Sequence, residues 1–350
     1  MTGTEARSPE GLPVVVLGGG FLGRHLGAAF AARGAEVHLL TRRGTAGPAG
    51  AVPAEPPEIA GFDLLAAAPR EIAEVIRSVR AEVVVNAAGR AWQADEAEMT
   101  AGNAVLVERL VDALSLLPGP PVRLVQLGSV HEYGAGAPDG ATTEEHEPEP
   151  VTAYGRSKLL GSHEVLYATE HRSVDGVVLR LANVIGAGVP AGSLFGQVAA
   201  HLARAARADA RGDGAAELRL PPLRAARDVV DAVDAAAAVV AAATAPGARV
   251  TGRVINVGRG EAVPVRGLID RLVELSGLDV PVVEDEAPGT ARTDVARLLL
   301  DISRARDLLG WRPERSLDRS LRDLLAAVLP PTGAPPGTET DTPAYERVRP

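Results

Sequence analysis

A glycine-rich turn between an apolar run and an amphipathic stretch constrains the fold of this chain more than any other feature. Residues 14–17 read VVVL, residues 18–23 read GGGFLG, and residues 22–33 carry apolar side chains at helical spacing, which predicts a strand, a tight turn and a helix. The turn fits the pattern G-x-G-x-x-G, whose glycines let the backbone approach a pyrophosphate, while the helix start offers free N–H groups. The glycine pattern alone is weak evidence, because the chain holds 38 glycines. Its position between a strand and a helix is what favours a dinucleotide site over an ordinary glycine loop.

Strands and helices alternate along the first half of the chain. The pattern predicts further strands at 36–40, 82–85, 122–127 and 176–181, and helices at 70–80, 101–117 and 153–171. Alternation at this spacing is typical of a parallel sheet covered by helices on both faces. The predicted fold class is therefore a doubly wound α/β (Rossmann) fold.

Beyond residue 183 the order of elements is looser. Helices are predicted at 196–207, 227–243, 265–276 and 317–328, and a short strand at 253–257. We expect a dinucleotide-binding domain of residues 13–182 with 225–260, and a smaller mixed α/β substrate lobe of residues 183–224 with 261–329. Residues 330–350 are rich in Pro, Thr and Gly and are expected to form a disordered tail.

The single lysine of the chain lies four residues after a tyrosine. Lys158 follows Tyr154, which is one of four tyrosines. Of the 36 lysine and arginine residues, the other 35 are arginine. Side chains at i and i+4 share a helix face, and a chain that uses arginine everywhere else indicates that this position needs a compact ammonium group. The positive charge is expected to lower the pKa of the phenol, so that Tyr154 can exchange a proton with a substrate. The alternative is an exposed pair on a solvated helix.

Composition excludes several other kinds of site. The chain has no cysteine, which leaves no disulfide, thiolate nucleophile or cysteine metal ligand. His131 and His146 are lone histidines among acidic loop residues, with no histidine or carboxylate cluster at metal-ligand spacing, so no metal site is predicted. A net charge of −9 and a pI near 5.4 argue against nucleic-acid binding, which needs a basic face. The polar first twelve residues do not resemble a signal peptide, and the alanine-rich run at 229–243 is too short for a membrane span. We expect a cytoplasmic protein.

The residues after the second predicted strand indicate whether the cofactor is NADP(H) or NAD. A site for NAD usually has an acid there to bind the ribose hydroxyls, but this chain has Thr41, Arg42 and Arg43. Two arginines could bind a 2′-phosphate instead. The sequence therefore favours NADP(H), with NAD as the alternative.

These features together resemble the extended short-chain dehydrogenase/reductases, specifically their NAD(P)-dependent sugar epimerase/dehydratase group, over residues 14–328. Tyr154 and Lys158 match the family's Tyr-x-x-x-Lys, and Ser129 matches the Ser or Thr that completes its catalytic triad, four residues before Tyr133. Residues 309–313, LGWRP, match the family's late Leu-Gly-Trp-x-Pro. Within the group the chain is most similar to nucleotide-sugar 4-ketoreductases.

The resemblance implies further binding residues. Besides Tyr154 and Lys158, the residues expected to contact the cofactor are Gly18, Gly20, Phe21, Leu22, Gly23, Arg42, Arg43, Asp63, Leu64, Ala87, Ala88, Gly89 and Asn103. Those expected to contact a nucleotide-sugar substrate are Ser129, His131, Asn183 and Arg227. Each of these four has a structural alternative: Ser129 could cap a strand end, and His131 could be a plain loop residue. Asn183 could satisfy loop backbone, and Arg227 could begin a helix and pair with Asp228.

The chain departs from the family pattern in two places, one in the glycine turn and one after the catalytic serine. The family usually spaces its glycines as G-x-x-G-x-x-G, but the first of these falls on Leu17, so Gly18 is expected to make the turn. The 4,6-dehydratases of the family carry an Asp-Glu pair directly after the catalytic Ser or Thr. Here those positions are Val130 and His131, which argues against dehydration.

The resemblance and the arginines together favour NADPH-dependent reduction of a keto group, at C4, on a nucleotide-activated 4-keto-6-deoxyhexose in deoxysugar biosynthesis. Tyr154 would protonate the carbonyl oxygen, Ser129 would hydrogen-bond it, and Lys158 would orient the nicotinamide ribose. An NAD-dependent nucleotide-sugar epimerase and a non-catalytic NADP(H)-binding protein are the alternatives. The helices at 103–117 and 154–171 match those that the family pairs in a four-helix dimer interface, so a homodimer is expected.

Overall fold

The computed structural model describes residues 6–42, 58–91, 93–210, 217–285 and 295–329. Within these ranges the strands are β1 (Pro13–Leu17), β2 (Glu36–Thr41), β3 (Glu58–Ala60), β4 (Val83–Asn86), β5 (Arg123–Ser129), β6 (Asp175–Leu181), β7 (Asn183–Ile185), β8 (Leu218–Leu220), β9 (Ala226–Asp231), β10 (Val254–Val257), β11 (Ala262–Pro264), β12 (Val282–Glu284) and β13 (Arg297–Leu298). The α-helices are α1 (Phe21–Ala31), α2 (Pro69–Ser78), α3 (Glu96–Thr100), α4 (Leu106–Ser115), α5 (Ala153–His171), α6 (Leu194–Asp209), α7 (Ala232–Thr244), α8 (Gly247–Val250), α9 (Val265–Ser276), α10 (Ser303–Leu309) and α11 (Leu317–Ala326). A π-helical turn (Ala101–Val105) joins α3 to α4, and a 3₁₀ turn (Val130–Tyr133) follows β5.

A parallel sheet forms the centre of the molecule. Among the described residues it has seven strands in the order β10-β6-β5-β4-β1-β2-β3, and every neighbouring pair is parallel. The order reverses between β1 and β4, and doubly wound sheets bind ligands beyond the carboxyl ends of the strands at such a switch point. The doubly wound fold is confirmed, and all six strands predicted for it lie in this sheet.

Both faces of the sheet are covered because its strands are apolar on both sides. The residues of β1 after Pro13 and all of β4 are buried. On one face the sheet packs against Phe30 of α1 and Val239 of α7, and on the other against Ile76 of α2, Leu110 of α4 and Val165 of α5. Each large apolar side chain buried in this way contributes about 1.5–3 kcal/mol to stability.

A smaller lobe lies at the carboxyl end of β6. Its main sheet has the order β11-β9-β13 with β7 paired to β9, and β8 pairs with β12. Helices α6, α9 and α11 enclose a separate apolar core through residues such as Leu202, Leu268 and Leu324. Because β7 follows β6 after a single residue, this lobe places its strands beside the ligand-binding edge of the large sheet.

The structure differs from the sequence prediction in the segment 227–243. The helix predicted there is wrong in its first residues, because 227–231 belong to β9 and α7 begins at Ala232. Asp231 ends the strand and caps the helix by accepting a hydrogen bond from the Val233 N–H at 2.7 Å, while the adjacent valines favour strand. The predicted domain boundary stays a prediction, although β9 lies in the small sheet rather than with the first domain.

Two other expectations meet the structure only in part. The helix predicted at 101–117 is interrupted by the π-helical turn at its start, and the predicted tail at 330–350 lies outside the described residues. No helix in the described ranges is long and apolar enough to cross a membrane.

Candidate active site

In the glycine turn between β1 and α1, Gly18 and Gly23 are packed against backbone, whereas Gly20 has open space around it. Gly18 has φ +96°, and a side chain there would lie 2.9 Å from the backbone of Ala88. A Cβ at Gly23 would lie 1.7 Å from the Gly18 carbonyl oxygen, whereas a Cβ at Gly20 would meet nothing within 4 Å. The turn therefore fits a pyrophosphate, which would approach over Gly20 and the free N–H groups at the start of α1.

Replacing Gly23 by alanine is expected to lower the free energy of unfolding by about 3 kcal/mol, because the new methyl group overlaps backbone that cannot rotate away. Gly267→Ala is the matched control, since Gly267 is also helical and has open space around it. That change should be neutral or stabilising by up to about 1 kcal/mol. Urea unfolding checks both, and a Gly23→Ala variant with the wild-type midpoint would contradict this account of the turn.

Residues predicted to contact the adenosine half of the cofactor flank the same turn. Thr41 is buried at the end of β2, and Arg42 directly after it is exposed. Asp63 is half-buried and accepts a hydrogen bond from the Leu65 N–H at 3.0 Å, and Leu64 is buried. Arg43 lies outside the described residues. An exposed arginine at the strand end is compatible with a 2′-phosphate.

The loop after β4 continues this edge of the sheet. The Ala87 N–H donates to the Leu17 carbonyl at 3.0 Å, and the Ala88 N–H donates to the Asn86 side chain at 3.2 Å. Gly89 follows and is exposed. With Phe21 and Leu22 half-buried at the start of α1, the predicted cofactor residues line both sides of the switch point.

Asn103 was predicted to contact the cofactor, but its side-chain amide is occupied by protein groups. Its oxygen accepts from the Arg90 N–H at 2.9 Å, and its NH₂ donates to the Arg90 carbonyl at 2.7 Å and the Ser157 hydroxyl at 2.9 Å. It is 2% exposed. Asn103 therefore fixes the loop after β4 to helix α5, and its predicted contact with the cofactor stays a prediction.

Ser129, Tyr154 and Lys158 meet at the carboxyl end of β5. Ser129 is the last residue of β5, and Tyr154 is the second residue of α5, whose start is capped by the Thr152 hydroxyl. The Ser129 and Tyr154 hydroxyls are hydrogen-bonded. One helical turn further on, Lys158 is 6% exposed and donates to the Leu127 carbonyl of β5. The structure thus brings the three predicted catalytic residues together.

The electrostatics of Tyr154 differ from the sequence prediction. Burial raises the pKa of Tyr154 to about 12, with a smaller rise from the negative charge of Glu132, against which the Ser129 hydrogen bond acts. Burial also lowers the pKa of Lys158, whose ammonium is directed at a backbone carbonyl. The lowering of the Tyr154 pKa predicted from Lys158 is therefore wrong for this structure, because removal of water from around the phenol raises its pKa.

Two charged residues next to the triad were missed by the sequence predictions. Glu132 is fully buried, accepts from the Ser129 N–H at 2.8 Å and binds the Arg180 guanidinium at 2.7 Å. Arg180 lies in the buried strand β6. The signal that could have found them is an arginine within the apolar run VVLRL, because a charge in such a strand requires a buried partner.

Of the four predicted substrate residues, Ser129 and His131 lie at the triad. The His131 ring meets the Tyr154 ring edge to face, with 5.8 Å between centroids. Asn183 is the first residue of β7 and pairs in register with Val229 of β9.

Arg227 lies two residues before Val229 on β9, so the small sheet brings Asn183 and Arg227 onto neighbouring strands. The alternative of a helix-start arginine is wrong, because this residue lies in a strand. Its guanidinium donates to the Ala226 and Val295 carbonyls at 2.9 and 2.6 Å.

Comparisons with known proteins agree with this geometry. A sequence model of the NAD dependent epimerase/dehydratase family matches residues 14–258. A dTDP-6-deoxy-L-talose 4-dehydrogenase (NAD(P)(+)) of Kitasatospora kifunensis is 43% identical over 316 residues, which cover 90% of this chain and 95% of that protein. A UDP-glucose 4-epimerase of Azospirillum brasilense is 29% identical over 93% of this chain and 94% of its own length. The solved structure of RMD from Pseudomonas aeruginosa complexed with NADPH has a TM-score of 0.73 at 24% identity, over 90% of this chain and 98% of that one, a likeness that shows the fold.

Proposed function

The chain belongs to the NAD dependent epimerase/dehydratase family, and on that premise we propose that it reduces the C4 keto group of a nucleotide-activated 4-keto-6-deoxyhexose with NADPH. The observation that carries the proposal is the meeting of Ser129, Tyr154 and Lys158 at the ligand-binding edge of the sheet. The similar Kitasatospora protein is named for the oxidation of such a position with NAD(P)⁺, and reduction is the reverse of that reaction. Deoxysugar biosynthesis is the setting in which such a substrate arises.

The side chains present fit the cofactor and divide the work of the reduction. NADPH, when bound, supplies the hydride. Tyr154 gives its phenolic proton to the carbonyl oxygen as negative charge develops there, and Ser129 hydrogen-bonds the same oxygen. Lys158, from the next turn of α5, holds the nicotinamide ribose and remains a cationic neighbour of the phenol. Ser129 and Lys158 are buried and Tyr154 is half-buried, so few water molecules can reach the reacting oxygen.

The preference for NADPH is attributed to Arg42. We expect Arg42→Ala to reduce kcat/KM for NADPH by about 10–100-fold, because a charge-assisted hydrogen bond to the 2′-phosphate is lost, and to leave kcat/KM for NADH nearly unchanged. Arg219→Ala serves as the control, because it removes another exposed arginine, on β8. Equal losses with both cofactors in the Arg42 variant would contradict the assignment.

The test of the reaction is the absorbance at 340 nm of purified protein with NADPH or NADH and a dTDP-4-keto-6-deoxyhexose. NADPH-selective consumption supports the reductase, and NMR of the product then gives the carbon and its configuration. The second candidate, an epimerase that retains NAD, is favoured by the likeness to the Azospirillum 4-epimerase. If neither cofactor is consumed, identification of nucleotide extracted from the protein separates that epimerase from a non-catalytic NADP(H) binder.

A homodimer through α4 and α5 is part of the proposal. Leu160 and Tyr167 are 50% and 51% exposed on α5, as expected of a surface that a second copy would cover. Light scattering of the purified protein tests it, and a monomeric mass at micromolar concentration would exclude it.

A further inference from the structure

A buried ion pair adjoins the catalytic residues on the side of Ser129. Glu132 is 0% exposed, and its two carboxylate oxygens accept from the Ser129 N–H and from the Arg180 guanidinium. We infer that Glu132 is a positioning residue for the proposed reduction, which fixes Ser129 for its bond to Tyr154 and places a negative charge near the phenol. This inference rests on the proposed function for its chemical meaning, but its test does not require turnover.

Neighbouring residues hold the Glu132 carboxylate in one place. Gly128 makes room for it, because a Cβ there would lie 2.7 Å from the Glu132 carboxylate and 3.2 Å from the Arg180 side chain. Arg180 is directly opposite Gly128 in the pairing of β5 with β6. Its guanidinium lies 4.4 Å from the Tyr133 ring centroid, and the Tyr133 hydroxyl donates to Asn256 at 2.8 Å. A carboxylate bound at both oxygens, with its cation bound from the other side, has little freedom to move away from Ser129.

Glu132 adds the effect of a negative charge to the burial that already raises the pKa of Tyr154. Ser129 at the end of β5 and His131 of the 3₁₀ turn contact Tyr154, and Lys158 lies one turn further along its helix. Glu132 lies behind Ser129, bound to the Ser129 N–H and paired with the cation of Arg180. On α3, Glu96 forms an exposed ion pair with Arg156 at 2.9 Å, away from the phenol. Glu132 is thus the buried negative charge that acts on Tyr154, and it raises the pKa of both Tyr154 and Lys158.

This charge suits the direction of the reaction. A reductase needs Tyr154 as a proton donor, and a nearby carboxylate disfavours the phenolate because like charges repel. The same carboxylate favours the charged form of Lys158, whose ammonium would otherwise lose its proton more readily through burial. One buried carboxylate therefore adds to the effect of burial on the Tyr154 pKa and opposes the effect of burial on the Lys158 pKa.

The same two strands supply a matched control at their other end. Arg123 and Asp175 begin β5 and β6, lie opposite each other, and form an ion pair at 2.8 Å in which Arg123 is 1% exposed. Removing the acid there also leaves a buried arginine without its carboxylate. Because β5 has seven residues, the pair lies about 20 Å from the triad and should not affect Tyr154.

The experiment measures the protonation of Tyr154 directly. Protein labelled at the tyrosine Cζ with ¹³C is titrated by NMR without cofactor, because NADP⁺ decomposes at the alkaline pH at which Tyr154 loses its proton. The Tyr154 resonance is identified by its loss in the Tyr154→Phe protein. In Glu132→Gln the titration midpoint should fall by about one pH unit or more relative to wild type, whereas in Asp175→Asn it should stay at the wild-type value. An unchanged or raised midpoint in Glu132→Gln, or an equal fall in Asp175→Asn, would overturn the inference.

A second variant covers the case in which Glu132→Gln does not fold. Glu132→Gln with Arg180→Gln removes both charges and leaves no buried ion unpaired, and the midpoint should again fall because Glu132 is the charge that acts on Tyr154. No fall in this double variant overturns the inference. If the wild-type protein fails to reduce any 4-keto sugar while these shifts appear, the proposed function fails and the role of Glu132 stands.

Discussion

Replacing Tyr154 by phenylalanine is expected to lower kcat for keto-sugar reduction by about 10²–10⁴-fold, the usual contribution of a positioned general acid. The change removes one hydroxyl and leaves the ring, so the edge-to-face contact with His131 remains. The hydrogen bond to Ser129 is lost, at a cost of about 1 kcal/mol in the free energy of unfolding. NADPH affinity should stay within about twofold of wild type, because the phenol gives its proton to the substrate rather than to the cofactor.

Tyr167→Phe is the matched control for this variant. Tyr167 lies on the same helix, is 51% exposed and stacks on His171, so loss of its hydroxyl should leave kcat unchanged. The two variants are compared by steady-state rates at 340 nm and by fluorescence titration with NADPH. Wild-type turnover in the Tyr154 variant would remove Tyr154 from the mechanism, and loss of NADPH binding would place its hydroxyl in the cofactor site instead.

The large sheet could be predicted because its signals are local. The strands are short apolar runs between helices with apolar faces, and the glycine turn fixes the start of the first βα unit. Helix α5 was predicted with its observed bounds, Ala153–His171, and the Thr152 hydroxyl caps its start. The small lobe was predicted less well because β7, β11 and β13 have only two or three residues each and pair with β9, which lies in a distant segment of the chain. The helix predicted at 227–243 included β9 because the alanine-rich helix α7 follows this strand directly.

The components of the site were predictable, but their environment was not. A glycine, a serine and a Tyr-x-x-x-Lys can be recognised by spacing, whereas the burial that raises the pKa of Tyr154 depends on packing among β5, α5 and the 3₁₀ turn. The same holds for Asn103, whose side chain binds Arg90 and Ser157. Motif spacing identifies the candidate site residues, but only the fold shows which of their polar groups already have hydrogen-bond partners in the protein.

Replacing Lys158 by arginine is expected to lower kcat/KM by about 10²–10³-fold, the range for loss of one preorganised electrostatic contact. Lys158 is 6% exposed, and its ammonium fits against the Leu127 carbonyl within the packed face of α5. A guanidinium keeps the charge, but it is broader and planar and would displace its neighbours or leave the site. We expect most of the loss to be in NADPH binding, since Lys158 is the residue assigned to the nicotinamide ribose, and fluorescence titration measures that part separately.

Arg156→Lys provides the reciprocal control two residues earlier on α5. Arg156 is exposed and pairs with Glu96 at the surface, where exchange of one cation for the other should change stability by less than about 1 kcal/mol and leave kcat/KM unchanged. Lys158→Met tests the charge itself, because it keeps the length of the stem and removes the ammonium. Equal losses in Lys158→Arg and Lys158→Met would show that the shape of the ammonium matters as much as its charge. Near-normal kinetics in Lys158→Arg would instead mean that the sole lysine of this chain has no role that arginine cannot fill.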